Sequence, residues 1–128
     1  MAHQEIRTAA APAPGGTYSQ GIDAGDFVYT AGMGPIDPST GATVGGDEDI
    51  ATQTRQVLDN LKAVLAEAGL DFTHVVKVTT HLEHLKRDFA GYDEVYREYF
   101  TAPYPVRTTV GSDLMNILVE IDVVARRP

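Results

Sequence analysis

An α+β fold, with two helices on one face of a sheet of about six strands, follows from three features of this 128-residue sequence. Segments 47–68 and 86–100 repeat apolar residues at intervals of three and four, the period of a helix with one buried side. Runs at 4–8, 18–24, 26–31, 74–82, 104–110 and 117–124 are rich in β-branched and aromatic residues and are bounded by Gly, Pro, Asp or Ser, the punctuation of strands. The order is three strands, a helix, a strand, a helix and two strands, so the helices can gather on one face and leave the other open.

The first run, 4–8, leads into Thr8-Ala-Ala-Ala-Pro-Ala-Pro-Gly-Gly16, an extended arm of small residues. The next two runs read as a hairpin turning at Ala24-Gly25-Asp26, because glycine supplies the backbone angles of a tight turn. In the loop 32–41, Pro35 and Pro38 stop a helix from opening, and the spacing of a dinucleotide-binding glycine motif is absent. In segment 47–68, Ile50, Thr54, Val57, Leu58, Leu61, Val64, Leu65 and Ala68 form the stripe. Asp47, Glu48 and Asp49 suit its positive N-terminal end, and Gly69 is placed to end it. Strand 74–82 alternates, with Val76, Val78, Thr80 and Leu82 expected beneath the helix. Segment 86–100 carries Phe89, Tyr92, Val95, Tyr96, Tyr99 and Phe100 on its core stripe, and Pro103 closes it. The last two runs flank Gly111-Ser112-Asp113 and are expected to pair as neighbouring strands.

Composition narrows the function. The length suits a single domain, 1–128, and 43% hydrophobic with 22% charged residues is ordinary for a globular protein, which sets aside disordered and membrane classes. With no basic leader before an apolar run, the cytoplasm is expected. The absence of cysteine excludes disulfides, thiolate nucleophiles and cysteine zinc sites. A formal charge of -8 opposes a phosphate backbone, so no nucleic acid partner is expected. His81 and His84 flank Leu82-Glu83, but on a strand the two imidazoles project to opposite sides, so no metal site is expected. An open sheet face carrying Thr, Val and Tyr points to association as a symmetric ring.

Two charges stand in poor places. Arg107 begins a strand just after Pro105, and Glu120 lies among Leu118, Val119, Ile121 and Val123. They can be read as a cross-strand ion pair. They can also be read as a site, in which an arginine fork grips a substrate carboxylate while a glutamate orients or deprotonates a water. Tyr18, approached through Gly15-Gly16-Thr17, adds a hydroxyl. This set suits hydrolysis of a small electrophile bearing a carboxylate.

Several motifs carry a resemblance over residues 16–125. They are Tyr18-Ser19-Gln20; Thr30-Ala31-Gly32 with the loop Pro35-Ile36-Asp37-Pro38-Ser39-Thr40-Gly41; the helix Gln53-Thr54-Arg55-Gln56-Val57-Leu58-Asp59-Asn60-Leu61; Lys77-Val78-Thr79; Val95-Tyr96-Arg97-Glu98-Tyr99-Phe100; and Pro105-Val106-Arg107 with Val119-Glu120-Ile121. On these residues the sequence resembles the RidA/YjgF family of reactive-intermediate deaminases. The resemblance implies a chorismate-mutase-like (RidA-like) α+β fold, assembled as a homotrimer with active-site clefts between subunits. It implies hydrolysis of 2-iminopropanoate and 2-iminobutanoate, tautomers of enamines released by pyridoxal-phosphate dehydratases, to 2-oxoacids and ammonia. Arg107 would hold the carboxylate, Glu120 would position the water and Tyr18 would line the pocket, with no cofactor and no metal needed.

The sequence departs from the family pattern at several of these positions. Ala31 stands where the family has serine, Met33 where it has glutamine, Asp93 where it has asparagine and Thr109 where it has cysteine. Ala31, Asp93 and Thr109 join Arg107 and Tyr18 as expected substrate-binding positions, and Thr109 shares the face of Arg107 by strand alternation. The loop before Glu120, with Leu114-Met115 in place of Leu-Pro, reads as one residue short. These changes leave room for a pathway-specific relative acting on a different enamine or imine, or for a non-catalytic binder of small carboxylates.

Overall fold

A computed structural model describes residues 3–128. Strands β1 (Gln4–Ile6), β2 (Gly21–Asp23) and β3 (Phe27–Thr30) come first, followed by helix α1 (Ile50–Glu67). A 3-10 turn at Phe72–His74 leads to β4 (Val75–Leu82), helix α2 (Leu85–Tyr99), β5 (Val106–Gly111) and β6 (Val119–Arg126). The sheet order is β1-β2-β3-β6-β4-β5. All pairings are antiparallel except β4 with β5. This is the α+β architecture expected from the order of elements, with both helices on one face.

The α1 stripe is buried as its period requires: Val57, Leu58, Leu61, Val64 and Leu65 meet Val28, Val119, Ile121, Val123 and Ala125 of the sheet in one core. Asp49 caps the helix by accepting from the backbone N–H of Thr52. Gly69, at φ 76°, takes the left-handed position just beyond its end. Two polar residues also lie on the buried side. The Gln53 side chain accepts from Leu118 N at 2.8 Å, and Asn60 donates to the carbonyls of Gly34 and Ile36 at 3.0 and 2.9 Å. Each satisfies loop backbone that burial has taken from water.

Two sequence expectations are corrected. β5 and β6 are not neighbours, because β4 lies between them. The reason is topological: β4, α2 and β5 form a parallel crossover unit, for which a helix is the usual connection. The segment 112–118 then passes the end of β4, with Ser112 N donating to Leu82 O and Glu83 N to Leu118 O, and delivers β6 to the far side. Within β4 the alternation shifts by one at its start. A bulge between Val75 and Lys77 buries Val75 and leaves Val76 exposed, while Val78, Thr80 and Leu82 face the helices as expected.

The face away from the helices carries Tyr29, Val106 and Val110, all exposed. Lys77, Thr79, His81, Glu120 and Asp122 share that face by register.

Candidate active site

Arg107 pairs across β4 with Val78, whose side chain is in the core, so the guanidinium rises on the helix side of the sheet. There α2 meets it. Its Cζ lies 4.5 Å from the ring centre of Tyr96, 5.4 Å from Tyr92 and 5.6 Å from Phe89. A guanidinium over aromatic faces is held by the ring quadrupoles, and it keeps its donors along the plane's edge. Nη1 donates to Asp93 Oδ1 at 2.8 Å. The other oxygen of Asp93 accepts from Arg97 Nη2 at 3.0 Å. Burial opposes ionisation of Asp93, but its hydrogen bonds to Arg107 and Arg97 outweigh that and hold the carboxyl below its usual range. Burial also opposes charge on Arg107, and the bond to Asp93 reverses the balance.

Beneath the guanidinium the polar atoms are nearly all paired. The Tyr92 hydroxyl sits 2.6 Å from Thr80 Oγ1. The Tyr96 hydroxyl is buried without a partner, and burial raises the pKa of both phenols. Beside Arg107, Asp93 and Tyr96 join Arg97, Tyr104 and Pro105 to line a cavity of about 400 Å³. That lies within the range of about 300–1,000 Å³ common for small-molecule sites.

Glu120 is elsewhere. It pairs with His81 on the open face, opposite in direction to its core neighbours Val119 and Ile121. Its carboxylate packs on Gly32, where an added Cβ would lie 2.6 Å from Oε2 and 2.8 Å from Cδ. Tyr18 is about half exposed, and its hydroxyl accepts from Gly15 N at 2.9 Å. Within one chain, therefore, Arg107 and Glu120 occupy opposite faces of the sheet with β4 between them, and they form neither the ion pair nor the single-chain site that neighbouring strands would have allowed.

The family model described as Endoribonuclease L-PSP matches residues 8–127. The chain belongs to the RidA/YjgF family. A RutC family protein of Pyrococcus abyssi is 46% identical over 127 residues, covering 98% of both chains. A Salmonella typhimurium protein named 2-iminobutanoate/2-iminopropanoate deaminase is 39% identical over 127 residues, covering 95% of this chain and 96% of its own. The crystal structure of the YjgF gene product of E. coli superposes with a TM-score of 0.90 at 37% identity, over 98% of this chain and 99% of that one.

Of the residues singled out in this RidA-family sequence, Arg107, Asp93 and Thr109 come together on the helix side, Thr109 by alternation from Arg107 and by its pairing with buried Thr80. Glu120 and Gly32 form a second group on the open face, and Ala31 donates its N–H to the O of Gln20, just before β2, at 2.9 Å. The histidines do not converge: His81 Nδ1 lies 2.6 Å from Ser112 Oγ, and His84 stands at the N-cap position of α2 without a side-chain capping bond. The described residues hold no cluster of three metal-ligating side chains. No helix among them is long and apolar enough to cross a membrane.

Two contributions escape a reading of the sequence. Of the α2 aromatics, expected mainly as core, Tyr92 and Tyr96 are buried while Phe89 is exposed, and all three cradle Arg107. Arg97 lines the cavity, and its signal was the four-residue spacing from Asp93.

Proposed function

We propose that this chain hydrolyses 2-iminoalkanoates, 2-iminopropanoate and 2-iminobutanoate among them, to 2-oxoacids and ammonia. It does so in the cytoplasm, as a homotrimer whose sites lie between copies. The observation that carries the reading is the state of Arg107: it is fixed over three rings and anchored by a single nitrogen, on the wall of a cavity large enough for a small acid. The deaminase name of the Salmonella relative supports the same chemistry.

In this reading the free edge of the Arg107 guanidinium binds the substrate carboxylate. The protonated imine carbon is already electrophilic, so the site has to orient a water and balance charge. Glu120 takes a proton from that water as its oxygen attacks the imine carbon, giving a carbinolamine. The same carboxyl returns the proton to nitrogen, the C–N bond breaks, and Glu120 takes the hydroxyl proton as the carbonyl forms, passing it to the departing ammonia, which leaves as ammonium. Because Glu120 of one chain faces away from its own Arg107, the carboxylate comes from Glu120 of the partner subunit, brought by its open face. Tyr18 closes the same cleft. The model's description names an endoribonuclease, but a net charge of -8 works against a polyanionic substrate.

The test generates 2-aminoacrylate from serine with a pyridoxal-phosphate dehydratase and traps the imine with semicarbazide. The protein should lower semicarbazone formation, and Arg107→Ala should not. RNA incubated alongside should stay intact. No protection with several amino-acid precursors would overturn the proposal.

A further inference from the structure

The Asp93 carboxylate beside the clamp raises a question of charge. A carboxylate 2.8 Å from Arg107 offsets the cation that is meant to attract a carboxylate substrate. Arg97 answers it. It binds the second oxygen of Asp93, so one carboxylate is shared by two guanidinium groups and the local balance is again positive. The second cation is not simply a helix-surface pair, since Arg97 lines the same cavity as Arg107. Among the described residues neither arginine makes a further hydrogen bond, so the remaining N–H donors of both are open to a ligand. Their mobility differs: the Arg107 side chain is 23% exposed and braced by rings, whereas that of Arg97 is 72% exposed and reaches in from the rim. The cavity also offers more room than an acid of three or four carbons fills.

We propose, building on the imine-hydrolysis reading, that the pocket prefers imines with a second acidic group, 2-imino dicarboxylates, and that Arg97 is the residue that recognises it. Arg107 holds the carboxylate next to the imine carbon. Arg97, on the far side of Asp93, takes the distal carboxylate, and Asp93 fixes the spacing of the two cations. The supply reaction is then two-electron oxidation of an acidic amino acid at its amine-bearing carbon by a flavin or nicotinamide enzyme, and the product is a 2-oxodicarboxylate.

The test compares 2-iminoglutarate with 2-iminobutanoate, each generated in place by an amino-acid oxidase and followed by semicarbazide competition. The wild-type chain should show the higher kcat/KM for the diacid. Arg97→Gln should lower the ratio of the two kcat/KM values roughly tenfold, the size of one partly screened charge-assisted contact, and Arg97→Lys should restore part of it. Equal kcat/KM values, or a ratio unmoved by Arg97→Gln, overturn the proposal. If neither imine is hydrolysed, the hydrolysis reading fails, and calorimetry with 2-oxoglutarate and 2-oxobutanoate decides the specificity. Tighter 2-oxoglutarate binding that Arg97→Gln abolishes supports it; equal or weaker binding overturns it.

Discussion

The two faces of the sheet solve opposite problems. On the helix side apolar side chains interlock, and the partly buried Arg107 rests on aromatic rings with a carboxylate partner from its own chain. The open side carries exposed Tyr29, Val106 and Val110 beside Glu120 and Asp122. Asp122 lies on that surface. Burial raises its carboxyl above the usual range, and nearby His81 and Lys77 only partly offset the rise. A charged group on the first face is held by partners of its own chain, while those on the second stand on an open surface, which the proposed assembly would enclose. Half of the proposed chemistry lies on each.

Substitutions can break this contrast. The largest effect falls on the closed face, where Leu58→Ala should destabilise the fold by about 2–5 kcal/mol in chemical denaturation, since Leu58 is fully buried. Arg107→Ala should leave the fold standing while lowering kcat/KM on imines about a hundredfold, through lost orientation of the substrate. Gly32→Ala probes the open face: the added methyl must displace the Glu120 carboxylate. It should lower kcat about tenfold with little change in thermal midpoint. Val106→Asp, at a residue 68% exposed, should hardly alter helix content but should reduce the particle to a smaller species in sedimentation.

The smallest effect concerns pH. The folded pKa of Asp93 lies below its unfolded value, so its contribution to stability is present above about pH 4 and fades as pH falls through the folded pKa. Asp93→Asn should remove under about 1 kcal/mol at neutral pH and flatten the acid limb of a stability profile.

The sequence was clearest where side-chain period and burial agree. The α1 stripe, the hairpin at Gly25 and the α2 limits emerge within a residue or two of where they were expected. It was least clear where long-range pairing decides. Nothing in Gly111-Ser112-Asp113 distinguishes a hairpin from a passage around the end of β4, so Arg107 and Glu120 looked like neighbours. The faces of Arg107 and Thr109 followed from alternation alone, but the cradle of rings requires knowing that α2 crosses over β5. Gln53 and Asn60 were overlooked because polar residues on a buried stripe reveal themselves only through the loops they hold.

Placement of the two charges on opposite sides of one sheet has a genetic consequence. Arg107→Ala and Glu120→Ala chains, each inactive alone, should regain activity when unfolded and refolded together. In the proposed threefold ring, a mixture of both chain types contains one boundary where an unaltered arginine faces an unaltered glutamate. Recovery near one third of the wild-type rate per mixed ring would be complementation between alleles of a single gene.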